Sequence, residues 1–467
     1  MHSNNGKSNL RMHSALLTDL YELTMAAAYF ENNFSGNASF ELFVRSLPKA
    51  RGFLIAAGLE QALDYLETAR FTDEDIAYLR SLPVFQHVDT AFLDYLKDFR
   101  FTGEVWAVPE GTPVFGEEPL LRVSAPLLEA QIVETFLLST LTFQTMIASK
   151  AARVVAAAKG RSVVEFGSRR AHGPEAGVLG ARAAFIGGCS GTSNLEAGSR
   201  YGIPTFGTLA HSFVMAYSDE EEAFRRFMQL YKEHSVLLVD TYDTLAAVDK
   251  IIANDLRPRA IRLDSGDLLE LSRQARRRLD QAGLGATRIF ASGDLDEFVI
   301  SDLLERGAQI DAFGVGTALA TSMDAPALGG VYKLVDLASD TGVSYRAKFS
   351  DQKMTYPGRK QIWRFPDSEG KFREDVIACE SESFSEATPL LRKVMQAGTR
   401  IAPSPPLTDV QHHAAEEVRR IPEGCTKLRE PARYPVSFSP RLHSLLELVR
   451  QQVQGNSQPE PQQSGKE

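Results

Sequence analysis

Several short segments of this chain combine small residues with a charge or a hydroxyl, a composition suited to holding phosphates and sugars. In AIRLDSGD (260–267), Arg262 and Asp264 stand two positions apart. If AIRL is a strand, both side chains lie on one face, a base able to hold an anion beside an acid able to hold a hydroxyl. GTLAHSF (207–213) sets Thr208 near His211, and an imidazole in such a turn is a candidate general base or nucleophile, against the bland reading of a structural or exposed histidine. GSRR (167–170) follows a glycine with Arg169 and Arg170. Paired guanidiniums suit bidentate binding of phosphate or carboxylate, or form a solvated surface pair. FGVGTAL (313–319) places Gly314, Gly316 and Thr317 ahead of an expected helix. There the backbone can approach a phosphate and the free N–H groups can bind it, although a tight strand-to-helix turn has the same composition. AAFIGGCSGTSN (183–194), which includes Ser193, has the same ambiguity. Asp267 and Asp294, in DSGD and SGD turns, suit ribose hydroxyls or Mg²⁺ reached through water, or cap the helices that follow; Asp294 with Glu297 three residues on fits the capping pattern. The chain has no GxxxxGK[ST] nucleotide loop, no GxSxG nucleophile elbow and no paired-histidine zinc motif.

A common frame has to bring these segments together. From residue 160, β-branched or apolar runs alternate with helical patterns: SVVEF (162–166), IPTF (203–206), VLLV (236–239), AIRL (260–263), RIFA (288–291) and IDAF (310–313), with VYKLV (331–335) as a candidate seventh. This is the rhythm of βα units and a parallel sheet. It predicts an α/β barrel with its active site at the carboxyl ends of the strands, where GSRR, GTLAH, DTYDT, DSGD, SGDLDE and GVGTAL all fall. Upstream, LLTDLYELTMAAAYF reads as a helix with Thr18 and Asp19 in its first turn. NASFELFVR (37–45) reads as a strand, 58–99 as two or three helices and 103–124 as short strands. Pro126 opens a long helical stretch to about Ala158, whose polar residues, among them Gln144, Lys150 and Arg153, mark it as amphipathic and too interrupted to span a membrane. Helices are expected over 219–234 and 267–282. The expected organisation is a disordered N-terminus (1–13), a discontinuous second α/β domain from 14–130 and 346–450, an irregular α/β barrel over 131–345 and a disordered tail (455–467).

The 467 residues include 60 acids against 51 bases, a net charge of −9 that argues against nucleic-acid or membrane partners held by bulk charge but allows a local basic pocket. Three cysteines cannot build a disulfide framework, and no targeting segment is visible, so a soluble cytoplasmic protein is expected.

Taken together, TDLYELTMA (18–26), FELFVRSLP (40–48), GFLIAAGLEQAL (52–63), EGTPVFGEEPLL (110–121), LLEAQIVET (127–135), EFGSRRAHGPEAG (165–177), GGCSGTSN (187–194), GTLAHSF, IRLDSGDL, FASGDLDE (290–297) and FGVGTAL resemble the nicotinate phosphoribosyltransferases, of the type II phosphoribosyltransferase group. The matches run in family order over 14–350, and the last hundred residues carry no motif that can be placed. The resemblance implies conversion of nicotinate and phosphoribosyl pyrophosphate to nicotinate mononucleotide and pyrophosphate, the first step of NAD salvage from nicotinate. It implies coupled ATP hydrolysis, a ligase as well as a glycosyltransferase character, and Mg²⁺ or Mn²⁺. It also implies an irregular barrel with a second domain built from the chain ends, and a homodimer whose active sites lie at the subunit interface. On the matching positions, His211 is the residue phosphorylated by ATP. Tyr21, given by the neighbouring subunit, and Phe166 sandwich the pyridine ring, while Arg262, Thr208 and Ser193 bind nicotinate. Arg169, Asp294, Gly316 and Thr317 bind the phosphoribosyl and phosphate groups. Asp264 holds ribose hydroxyls, or with Asp294 water on Mg²⁺, and any direct metal ligand is left unassigned. The corresponding turn in the nicotinamide enzymes carries an acid. Its absence from Gly191–Asn194 favours nicotinate, because a carboxylate substrate would be repelled. The alternatives are a nicotinamide phosphoribosyltransferase, the shorter quinolinate enzyme, and an inactive homologue that only binds.

Overall fold

The computed structural model describes residues 14–34, 36–340, 342–350 and 353–455. The expected disordered segments 1–13 and 455–467 lie outside them, apart from Gly455, which closes the helix Pro440–Gly455.

The runs beyond residue 160 form a six-stranded sheet in the order Gly191–Thr192, Ser162–Glu165, Ala312–Val315, Arg288–Ala291, Ala260–Leu263 and Val236–Leu238. Every pairing in it is parallel. Helices cross between the strands, and the strands' centres (Val163, Val164, Ile261, Leu263, Ile289, Phe313) are buried, as a sheet covered on both faces requires. IPTF contributes only a bridge, Thr205 to Thr192. Pro204 has no N–H and offers only its carbonyl, to Thr192 N at 3.0 Å. Among the described residues the hydrogen-bonded order therefore runs from this bridge to Val236–Leu238 without returning on itself.

VYKLV is not a seventh strand of this sheet. Gly330–Ser339 pairs antiparallel with Asn37–Val44, inside a seven-stranded sheet ordered Gly342–Tyr345, Gly330–Ser339, Asn37–Val44, Pro119–Pro126, Glu104–Ala107, Arg392–Gln396, Thr399–Arg400. Tyr332 draws it there, stacking on Phe40 at 4.7 Å and donating its hydroxyl to Ala130 O at 2.9 Å. Helices Leu59–Thr68, Asp73–Ser81 and Thr90–Lys97 pack nearby, the second opened by a reciprocal Thr72–Asp75 cap. A four-stranded sheet holds Lys360–Pro366 and Phe372–Cys379.

The first helix, Leu20–Glu31, starts at Asp19 without a side-chain cap. The two residues expected to cap it reach across the fold instead. The Thr18 hydroxyl lies 2.9 Å from Ile132 O and 2.5 Å from the Glu22 carboxyl, its one proton shared between them, and Asp19 accepts from Thr135 Oγ1 at 3.0 Å. The long apolar stretch is two helices, Leu127–Ile132 and Glu134–Ala157. Its polar residues are not on a solvated face, for Gln144, Lys150 and Arg153 are all buried. Lys150 Nζ meets Glu297 at 2.5 Å and Asp324 at 2.7 Å; Arg153 Nε meets Glu297 at 3.0 Å; Arg51 Nη2 meets Asp324 at 3.1 Å. Three buried cations thus share two carboxylates, Glu297 in the interior and Asp324 at the edge of the solvent.

Candidate active site

The carboxyl ends of the parallel strands bring the chemistry-bearing residues together. Arg262, one residue from the end of Ala260–Leu263, spends its guanidinium on three neighbours: Nε on Ser292 Oγ at 2.7 Å, Nη1 on Thr208 Oγ1 at 2.8 Å and Nη2 on Asp264 Oδ1 at 2.7 Å. Ser292 also donates to Asp264 Oδ1 at 2.6 Å. Burial pushes the Asp264 carboxyl up, but the Ser292 hydroxyl, Arg262 and then His211 bring it below its ordinary range. Asp264 is therefore a carboxylate at neutral pH.

Above this pair the Arg262 guanidinium stands 5.7 Å from the centre of the Phe166 ring, close enough for cation–π attraction. Phe166 is fixed by its N–H to Val315 O at 2.9 Å and by a tilted contact with Phe290 at 5.5 Å. Gly314 makes room for both rings, since a Cβ there would lie 2.8 Å from each. A flat face and a cation beside it are left at the strand ends.

His211 is the first residue of the helix His211–Met215. Its Nδ1 lies 3.2 Å from Thr241 Oγ1, and its Nε2 lies 3.9 Å from both Asp240 Oδ1 and Asp264 Oδ2. Asp240, in the DTYDT turn, was not among the sequence candidates. Its side chain is 3 % exposed, Oδ2 accepts from Ser265 at 2.5 Å, and Oδ1 is buried without a hydrogen-bond partner. Ser292 and Glu165 were also missed. Glu165 is buried, accepts from Thr192 Oγ1 at 2.6 Å and from Gly167 N, and so ties two strand-end turns together; burial raises its carboxyl above the usual range.

The remaining candidates are spread around this centre. Gly316 and Thr317 open the short helix Thr317–Ala320 after the strand that holds Phe166. Ser193 is exposed and donates its N–H to Glu165 O at 2.9 Å, while Asn194 caps the next helix. Arg169 is exposed at the mouth. Asp294 is exposed and does not cap; Asp296 does so, accepting from Phe298 N and Val299 N, and Glu297 is held in the interior by Lys150 and Arg153. Asp267 is the cap of Leu268–Gln281. Tyr21 stands apart, half-exposed, with Glu22 and Glu134 as its polar neighbours; burial and these two acids push its phenol up.

Among the described residues no three His, Cys, Asp or Glu side chains are grouped to hold a metal ion, and no helix is long and apolar enough to cross a membrane. A pair of carboxylates remains, Asp240 with its orphaned Oδ1 and Asp264. That donor set fits Mg²⁺ carried largely by substrate phosphates and water.

Residues 147–325 match the quinolinate phosphoribosyl transferase C-terminal domain, and 16–142 and 383–446 match the nicotinate phosphoribosyltransferase N-terminal and C-terminal domains. The chain is 47 % identical over 450 residues to nicotinate phosphoribosyltransferase pncB2 of Mycobacterium tuberculosis, covering 94 % of this chain and 95 % of that one. It is 42 % identical over 458 residues to the nicotinate phosphoribosyltransferase of Bacillus subtilis, covering 91 % and 93 %. The crystal structure of human nicotinic acid phosphoribosyltransferase superposes with a TM-score of 0.81 at 29 % identity, over 92 % of this chain and 99 % of the other. The chain belongs to the nicotinate phosphoribosyltransferase family.

Proposed function

We propose that this protein forms nicotinate mononucleotide and pyrophosphate from nicotinate and phosphoribosyl pyrophosphate in the cytoplasm, the entry of nicotinate into NAD salvage. The observation that carries the reading is Arg262, held by Thr208, Ser292 and Asp264 against the Phe166 ring. In this reading the pyridine ring lies on Phe166 and its carboxylate faces Arg262 and Thr208, with Ser193 at the edge. The ring nitrogen forms a bond to the anomeric carbon as the bond to pyrophosphate breaks. No general base is required, because that nitrogen carries no proton. Asp264 and Asp294 hold ribose hydroxyls or water on Mg²⁺, and Arg169 and the N–H groups at Gly316 and Thr317 receive phosphate oxygens. Mg²⁺ or Mn²⁺, held near Asp240 and Asp264, neutralises charge on the leaving pyrophosphate when bound.

ATP is the co-substrate. His211 Nε2 attacks its terminal phosphorus, ADP leaves, and water later releases phosphate from the imidazole. The Nδ1 contact with Thr241 orients the ring for that attack. The working unit is a homodimer, in which Tyr21 of one protomer closes the ring sandwich of its partner. Exposed apolar side chains on the turns and helices that follow the strands (Leu195, Phe206, Met215, Tyr242) support a covered mouth.

The test offers nicotinate, nicotinamide or quinolinate with phosphoribosyl pyrophosphate and Mg²⁺, with and without ATP, and follows mononucleotide and ADP together. Nicotinate-specific product with ATP-stimulated turnover is expected, and His211→Ala should remove the stimulation and the ADP. Product from nicotinamide would overturn the substrate assignment. Binding without any product would identify an inactive homologue.

A further inference from the structure

We propose that a cavity of about 600 Å³, between helix Leu59–Thr68 and the C-terminal segment 388–420, is a second small-molecule site. Its ligand is a compact molecule with an apolar body and one anionic group. None of Phe166, His211 or Arg262 lines this cavity, and its volume is that of an ordinary ligand pocket. One wall carries Leu59 and Leu63, the other Leu390, Ile401 and Val410, so most of a bound body would meet hydrocarbon.

The charges around it do not all cancel. Glu60 and Glu110 are both taken by Arg182, at 2.7 Å each. Glu417 pairs with Arg420 at 2.7 Å and Lys393 with Glu104 at 3.0 Å. Asp409 lies in the first turn of Leu407–Arg420, where the free N–H groups of the helix offset a negative charge. Two donors remain. Arg392 is exposed and forms no ion pair among the described residues. Arg364 is 3 % exposed, grips Asp375 through Nε and Nη2, and leaves Nη1 buried with no hydrogen-bond partner. That N–H is closed to the cavity as well as to solvent, and Asp375 already meets the Arg364 charge, so Arg392 at the rim is the donor an anionic ligand would meet. His413, held to Thr112 at 3.1 Å, adds a polar edge.

The experiment titrates the full-length protein with 1-anilinonaphthalene-8-sulfonate, read by fluorescence, and with N-phenyl-1-naphthylamine, the same body without the sulfonate. Saturable binding of one sulfonate per chain is expected. The exposed rim change Ala402→Trp, which fills the mouth, should abolish it. Arg392→Gln should weaken it about tenfold, the size of one charge-assisted hydrogen bond. Excess phosphoribosyl pyrophosphate should leave it in place. Unchanged binding in folded Ala402→Trp, or displacement by phosphoribosyl pyrophosphate, would put the dye elsewhere and overturn the site. Equal affinity for the uncharged amine would overturn the anionic ligand.

Discussion

Two clusters of charge in this molecule have nearly the same composition and opposite situations. At the strand ends, Arg262, Asp264, Asp240 and His211 are open to solvent on one side, and His211 is 42 % exposed. In the other, the buried Arg51, Lys150 and Arg153 close on Glu297, which is fully buried, and reach Asp324 at the edge of the solvent. Partnership is similar in both, so ion pairing alone does not mark a site. Orphaned atoms do not separate them either, since Asp240 Oδ1 and Arg51 Nη1 are both buried without a hydrogen-bond partner. What separates them is access: Arg262 stands beside an accessible aromatic face and a 42 % exposed imidazole, whereas the cations around Glu297 are enclosed by the fold. The open mouth is where the proposed chemistry is placed, and the inner cluster joins the long helix to its neighbours.

The sharpest way to break this contrast is to exchange the expected losses. Glu297→Ala should cost about 3–5 kcal/mol of stability, since it leaves buried Arg153 without an acid and Arg51 and Lys150 to share Asp324. Denaturant unfolding measures this, and turnover per folded molecule should be unchanged. Arg262→Ala should do the reverse. Loss of a charged partner at the mouth should lower kcat/KM for nicotinate by about 10²–10³-fold, equivalent to roughly 3–4 kcal/mol, with little change in the unfolding midpoint. A large loss of stability in Arg262→Ala would sink the distinction.

A smaller effect tests the aromatic wall. Gly314→Ala puts a methyl 2.8 Å from the Phe166 and Phe290 rings; if nicotinate stacks there as proposed, its KM should rise about tenfold as the Phe166 face tilts, an overpacking effect of about 1–3 kcal/mol. The mildest effect is read in pH. Burial lifts the Glu22 carboxyl to about 7, against hydrogen bonds from Thr18 and Thr135 that pull it down. A raised acid holds its proton longer in the folded chain than in the unfolded one. Its contribution is therefore present below the ordinary carboxylate pKa and fades as pH rises through about 7. Unfolding midpoints from pH 4.5 to 8 should fall over that interval, and the slope should flatten in Glu22→Gln.

The strand-end arrangement was legible because each βα unit writes its own ending: a β-branched run, then small residues and a charge. That pattern identified Arg262 with Asp264, and His211 with Thr208. It did not identify Asp240, because DTYDT offers two acids at one turn and only the fold decides that Asp243 caps a helix through Ala246 N while Asp240 faces His211. Nor did it separate Gly330–Ser339 from the parallel strands, because a β-branched run looks alike in either sheet and its partner, Asn37–Val44, lies some three hundred residues away. The polar residues of Glu134–Ala157 misled for a related reason. Periodicity reports where charges sit on a helix, and the acids that bury Lys150 and Arg153 come from distant turns. The C-terminal hundred residues carried no recognisable motif, yet 383–446 match a domain of the same family and supply one wall of the second cavity.

The pairing of Asn37–Val44 with Gly330–Ser339 also sets a timetable for biosynthesis. Pro119–Pro126 covers one edge of the earlier strand soon after it leaves the ribosome, but its other edge must wait for the later strand. At about 5–20 residues per second that delay is about 15–60 s. During it the nascent chain carries an apolar, open strand edge, the kind of template that recruits other chains. Fragments ending before residue 330 should therefore be the aggregation-prone ones, and chaperone occupancy on translating ribosomes should drop once Gly330–Ser339 has emerged.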